Sequence, residues 1–139
     1  RRALEEAGIP FSEENILTLP LAQTEYRTEI SGFLSRNRTC TAILSFNDML
    51  AYGIIREARQ AGLRVPEDIS VIGFDNICAD YIFPTMLSSV SVSKKTMAHI
   101  ASETLYNYIS GKAEFGAGSR THIVLPTGLY LRDTTTARK

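Results

Sequence analysis

The 139-residue chain is one domain by length and long enough to bury a substantial core. Its 44% hydrophobic and 22% charged content excludes a disordered or fibrous class. Fifteen basic residues balance fifteen acidic ones, which argues against a chain that grips nucleic acid by itself, because phosphate binding needs a basic face.

Cys40 and Cys78 are the only cysteines. They lack the spacing of a zinc site or a disulfide framework and read as reduced thiols in a cytoplasmic protein. No apolar run approaches the ~20 residues a membrane-spanning helix needs. The first residue is Arg, so the chain is expected to be a piece of a longer protein.

Arg1–Gly8 reads as the end of a helix, with Ala3, Leu4 and Ala7 at helical spacing and Gly8 as its stop. A short strand is expected over Asn15–Leu19. Thr24–Arg38 is the next helix, capped by Thr24, with an apolar stripe of Tyr26, Ile30, Phe33 and Leu34. Tyr26, in its first turn, has two uses open to it: a ring in the core, or a flat face laid against a sugar.

Thr41–Asn76 forms the central unit, a strand, a helix and a second strand. Thr41–Phe46 and Ile69–Phe74 are nearly unbroken apolar runs, the pattern of parallel strands covered on both faces. Leu50, Ile54, Ala58 and Ala61 share one face of the helix between them. Asn47 can cap its start, and Gly62 can supply the left-handed residue past its end. A right-handed crossover makes the two strands near neighbours. Asn47-Asp48 and Asp75-Asn76 then emerge at the carboxyl edge of the sheet, where open α/β sheets bind ligands. Adjacent strands would start the two pairs ~5 Å apart. Two amides and two carboxylates there suit a small polyhydroxylated ligand, since a carboxylate accepts two hydroxyl hydrogen bonds and an amide gives one and takes one. The same residue types serve equally as a helix cap and a turn, so spacing alone leaves both uses open.

Ile77–Met86 shows no clear period and reads as a helical turn and loop beside the cleft. Leu87–Val92 alternates Ser with apolar residues, as a strand with one covered face does. Ser93–Ser110 is the longest helix, with Met97, Ile100, Ala101, Leu105, Tyr108 and Ile109 on a broad apolar face. Lys94 and Lys95 in its first turn oppose the helix dipole and read as a solvated face. Gly116–Ser119 reads as a flexible joint, Thr121–Leu125 and Gly128–Arg132 as two short strands with Pro126 at a bend, and Arg138-Lys139 as a polar tail.

The run SFNDMLAYGIIREARQAGLRVPEDISVIGFDN resembles the effector-domain signature of the LacI/GalR family of bacterial transcription regulators. Its marks are an Asn-Asp opening a helix, Gly-Leu-Arg-Val-Pro-Glu-Asp, and a strand closed by Gly-Phe-Asp-Asn. The resemblance extends through Pro84, the helix after Ser93 and the ending VLPTGLYLRDTT, and is weakest over the first forty residues. It implies an α/β fold: a three-layer open parallel sheet of the periplasmic-binding-protein-like type I, flavodoxin-like kind, as part of an incomplete two-lobe domain. Residues 1–139 would form a single partial effector-binding domain. Residues 1–87 and 121–139 would lie mainly in the C-terminal lobe, and 88–120 would supply a hinge-crossing strand and a helix of the other lobe. The apolar face of that helix would lack its usual cover, so the helix is expected to dock in an altered way or to pair with a second chain.

The resemblance also implies a small-molecule effector, a sugar or a related polyhydroxylated compound, a homodimer, and DNA contacts made only through a helix-turn-helix outside this chain. Carried over, Asn47 and Asp75 match residues that hydrogen-bond effector hydroxyls, Phe46 or Tyr26 walls the pocket, and Asp48 supports the helix start. Val92 stands where the family usually has a glutamine, and the family's effector-gripping arginine would fall before Arg1. A fragment of a periplasmic sugar-binding protein is the alternative, since the architecture is shared.

Catalytic equipment is sparse. His99 and His122 lie away from the proposed cleft, and no GxSxG, HExxH or Walker loop occurs. The chain is therefore expected to be no enzyme, and to hold no cofactor and no metal.

Overall fold

The structure, a computed structural model, describes residues 1–20, 25–77, 85–112 and 122–137. The expected cap at Thr24, the Cys78–Pro84 loop, the Gly116–Ser119 joint and the Arg138-Lys139 tail lie outside the described residues.

In chain order come α1 (Arg2–Glu6), a 3-10 turn (Glu13–Asn15), α2 (Arg27–Arg36), β1 (Ala42–Leu44), α3 (Asp48–Gln60), β2 (Ser70–Phe74), β3 (Ser88–Val92), α4 (Lys94–Ile109) and β4 (Thr127–Tyr130). The strands form one sheet in the order β1-β2-β3-β4. β1, β2 and β3 run parallel, and β4 closes the edge antiparallel to β3. Ile43 pairs with Val71 and Gly73 with Ser89, so these four residues share one face of the sheet.

That face is the core. α3 packs on β2 and α2 packs on α3. Ile30 and Leu34 of α2, Ala51, Ile54, Ile55 and Ala58 of α3, and Val71 of β2 form the buried cluster. Each fully buried large aliphatic contributes ~1.5–3 kcal/mol relative to exposure, which is ample to fix α3 on the sheet. α3 starts where Asn47 Oδ1 accepts the Leu50 N–H at 2.8 Å. It stops at Gly62, whose φ of +81° few other residues tolerate. Both signals were local and the structure follows them.

A buried carboxylate ties the two helices together. Glu57 accepts from Arg56 (3.0 Å), Arg27 (3.3 Å) and the Ser31 hydroxyl (3.3 Å). Burial pushes its carboxyl up, but hydrogen bonds and attraction from Arg56 and Arg27 outweigh this and hold it below its ordinary value. A lowered carboxyl stabilises the fold fully above its unfolded value and ever less as pH falls through the lowered one. We therefore expect Glu57→Ala to cost ~1–3 kcal/mol at neutral pH, the lower end being favoured because both arginines are more than half exposed. Urea melts at pH 7 and pH 3 check this: the difference between wild type and variant should shrink at pH 3, and an equal difference at both would contradict it. Asp68, gripped by the Arg64 guanidinium and backbone N–H, is likewise held down to about 2.

Three expectations are corrected. Asn15–Leu19 is not a strand: Asn15 ends the 3-10 turn, where its side chain accepts the Ser12 N–H and donates to Asn37. Those local bonds take the place of a ladder. The second face of β1 is open, with Leu44 72% exposed, because no described element packs over it. Of the two final strands only β4 forms, and His122–Pro126 have no regular structure. α4 buries none of its residues. Its Met97, Ile100, Leu105 and Tyr108 line an open groove of about 640 Å³ with His122, Ile123, Leu125, Pro126 and Thr127.

Candidate functional site

The parallel register places Asn47, three residues past β1, and Asp75, one residue past β2, at the same carboxyl edge. They reach it in different ways. Asn47 caps α3, which uses its Oδ1. Among the described residues none takes its Nδ2 hydrogens, so a donor remains for a ligand.

Tyr26, Phe46 and Asn47 line one groove of about 1010 Å³ that follows the flank of α2 and α3, with Leu17, Met49 and Arg56 among its walls. Phe46 presents its ring there, 76% exposed. Tyr26 divides its duties: its ring packs on the core cluster, and its hydroxyl donates to the Pro20 carbonyl at 2.6 Å. Asp75 does not line this groove. The structure thus brings Tyr26, Phe46 and Asn47 together and sets Asp75 apart, on the neighbouring strand end.

The conformation of Asp75 is unusual. Its φ is +98°, and that of Asn76 is +50°, a region non-glycine residues enter rarely, Asn and Asp more readily than the rest. The turn is held on every side. Asp75 N–H donates to the Val90 carbonyl (2.9 Å), Asn76 N–H to the Ser89 hydroxyl (3.0 Å), and Ile77 N–H to Asp48 (2.7 Å). Lys94 donates to the carbonyls of Asp75 and Asn76. The Arg132 guanidinium donates to Asn76 Oδ1 at 2.8 Å and to the Leu87 carbonyl at 2.6 Å. Among the described residues, none bonds the Asp75 carboxylate.

Asp48 is spent on structure. It is 2% exposed and accepts from the Ser89 hydroxyl at 2.6 Å as well as from Ile77. Its negative charge also sits at the positive end of α3. It cannot open onto a ligand, in keeping with the support role expected for it.

Sequence reasoning missed Ser89, Lys94 and Arg132. Lys94 reads as solvated because its partners lie almost twenty residues upstream in another element, and only the oddity of a cation in a first helical turn hinted at them. Among the described residues no three of His, Cys, Asp or Glu gather as a metal site would require, and no helix is long and apolar enough to cross a membrane.

A family model for a periplasmic binding protein-like domain matches residues 1–135. The chain belongs to that family. A curated relative, the HTH-type transcriptional regulator DegA of Bacillus subtilis strain 168, is 36% identical over 135 residues, covering 97% of this chain and 39% of DegA. Among solved structures, a LacI family transcriptional regulator from Arthrobacter sp. FB24 is 30% identical with a TM-score of 0.80, covering 98% of this chain and 49% of that one. The same regulator in complex with lactose is 28% identical, with a TM-score of 0.74 over 97% of this chain and 49% of that one. The expected kinship with LacI-family effector domains thus holds, and the curated relatives DegA, MalR and PurR are HTH-type transcriptional regulators or repressors. The chain spans about half the length of these structures and less of the curated relatives.

Proposed function

We propose that this chain is the effector-sensing part of a cytoplasmic, homodimeric LacI-family transcription regulator, and not an enzyme. Its effector is a small sugar or related polyhydroxylated molecule bound at the carboxyl edge of the sheet. Asp75, at the neighbouring strand end outside the groove, accepts hydroxyl hydrogen bonds, while Asn47 donates through Nδ2 and the Phe46 and Tyr26 rings wall the part of the ligand within it. DNA is contacted by a helix-turn-helix elsewhere in the regulator. β3 and α4 lead from this sheet toward the second lobe, so a ligand that prefers one lobe arrangement shifts the orientation of the heads.

One observation carries this reading. The Asp75 carboxylate is engaged by no described residue, yet it stands on a positive-φ turn whose backbone N–H groups are all committed. Strain of this kind costs ~1–3 kcal/mol and persists where its surroundings hold it for use. The lactose complex of the Arthrobacter regulator supports the ligand class.

A site shared between two lobes is incomplete here. In calorimetry with lactose and ribose, the intact regulator is expected to bind at least one sugar, and the 139-residue chain to bind it ~100-fold more weakly or not at all. Equal affinity of the isolated chain would place the whole site on this lobe and overturn the shared-site reading.

A further inference from the structure

Lys94 occupies the first turn of α4, where a cation opposes the helix dipole. Its ammonium is turned back onto the Asp75 carbonyl and, at 3.3 Å, onto that of Asn76. Arg132 comes at the same turn from beyond β4. One arm of its fork takes Asn76 Oδ1 and the other takes the Leu87 carbonyl at the entry to β3. Its own N–H donates to the Ser88 hydroxyl at 2.7 Å, and its guanidinium lies 5.4 Å from the Tyr130 ring centre. Two hydrogen bonds from the fork, a backbone held at Ser88 and the nearby ring leave that fork little freedom to turn away.

We infer that Lys94 and Arg132 are positioning residues that clamp the Asp75–Asn76 turn from two sides and so aim the Asp75 carboxylate. The inference deepens the proposed site and rests on that reading for its use, though not for its geometry. Each cation holds what the other does not reach: Lys94 the two carbonyls, Arg132 the Asn76 side chain. Because Lys94 travels with α4, any shift of α4 against the sheet is felt at the carbonyl of Asp75. Affinity at the carboxyl edge is thereby sensitive to where α4 stands.

The test is hydrogen exchange on the intact regulator, which needs no ligand. Lys94→Met and Arg132→Met are each expected to speed exchange of the Asp75, Asn76 and Ile77 amides about tenfold, while the α3 amides Ala51–Ile55 keep their rates. Lys94→Arg, which keeps a donor, is expected to restore most of the protection. Unchanged exchange at the turn, or acceleration equal in α3, overturns the inference, as does a Lys94→Met chain that fails to fold. Lactose titration of Asp75→Gly forms the separate arm. Retained binding there removes Asp75 from the site while leaving the exchange result, and with it the clamp, intact.

Discussion

Asp75→Ala in the intact regulator is expected to abolish the response to ligand while leaving operator binding in place. A carboxylate that accepts two hydroxyls contributes hydrogen bonds of the charged class, ~1.5–3 kcal/mol each. Losing roughly 3 kcal/mol weakens the ligand by a factor on the order of a hundred. The backbone supplies a control that separates site from scaffold. At φ +98° alanine adds strain that glycine does not. Asp75→Gly should therefore match Asp75→Ala in lost ligand response, and should melt at the wild-type temperature or slightly above. Because no described residue bonds that carboxylate, its removal opens no unsatisfied partner among the described residues. Retained response in either variant would take Asp75 out of the site.

Asp48→Ala is expected to be the more damaging change to the fold, at ~3 kcal/mol or more. It takes the acceptor from the buried Ser89 hydroxyl and from the part-buried Ile77 N–H, and removes a favourable charge from the start of α3. The same carboxylate explains why residue 73 is glycine. A Cβ there would stand 2.2 Å from Asp48 Oδ1 and 2.9 Å from Leu87 Cδ2, closer than real contacts allow. Asp48 is pinned by two short bonds and cannot yield, so Gly73→Ala should cost at least ~2–3 kcal/mol. The two positions touch, so their effects should not add. With Asp48 truncated, the carboxylate part of the clash disappears, and the double variant should be more stable than the sum of the single costs predicts. A urea double-mutant cycle reads this. Strict additivity would mean that the Asp48 carboxylate is not what fills the space above Gly73.

What the chain revealed in advance divides along the reach of each interaction. Asn47 as a cap and Gly62 as a stop depend on a few neighbouring residues, so their types and spacing were enough. The strand–helix–strand unit was equally legible, because apolar runs of that length between such signals leave few alternatives. Leu44 was misjudged for a different reason. An apolar run records that a strand suits burial, not which element lies over it, and no described element lies over that side of β1. Asn15–Leu19 has strand-like residues, but the Asn15 side chain closes a local turn on the Ser12 N–H, and a strand needs a partner that composition does not announce.

The candidate site shows the same division. Both strand ends were placed at one edge by topology alone, a consequence of parallel pairing. The positive φ of Asp75 was not legible, since Gly-Phe-Asp-Asn is compatible with several turns. Nor were the partners that hold it, because Ser89, Lys94 and Arg132 arrive from three other parts of the chain. Glu57 left a faint signal: a lone carboxylate flanked by Ile54, Ile55 and Ala58 on a buried helix face needs partners, and Arg27 and Arg56 are those partners.

The carboxylate of Asp75 is expected to meet a ligand at this edge of the sheet. A crystal structure of the intact regulator with the sugar it binds measures that directly. An Asp75 carboxylate oxygen is expected within ~2.5–3.0 Å of a ligand hydroxyl, with Asn47 Nδ2 in reach of a second. A ligand seated elsewhere, with Asp75 still facing solvent, would contradict it.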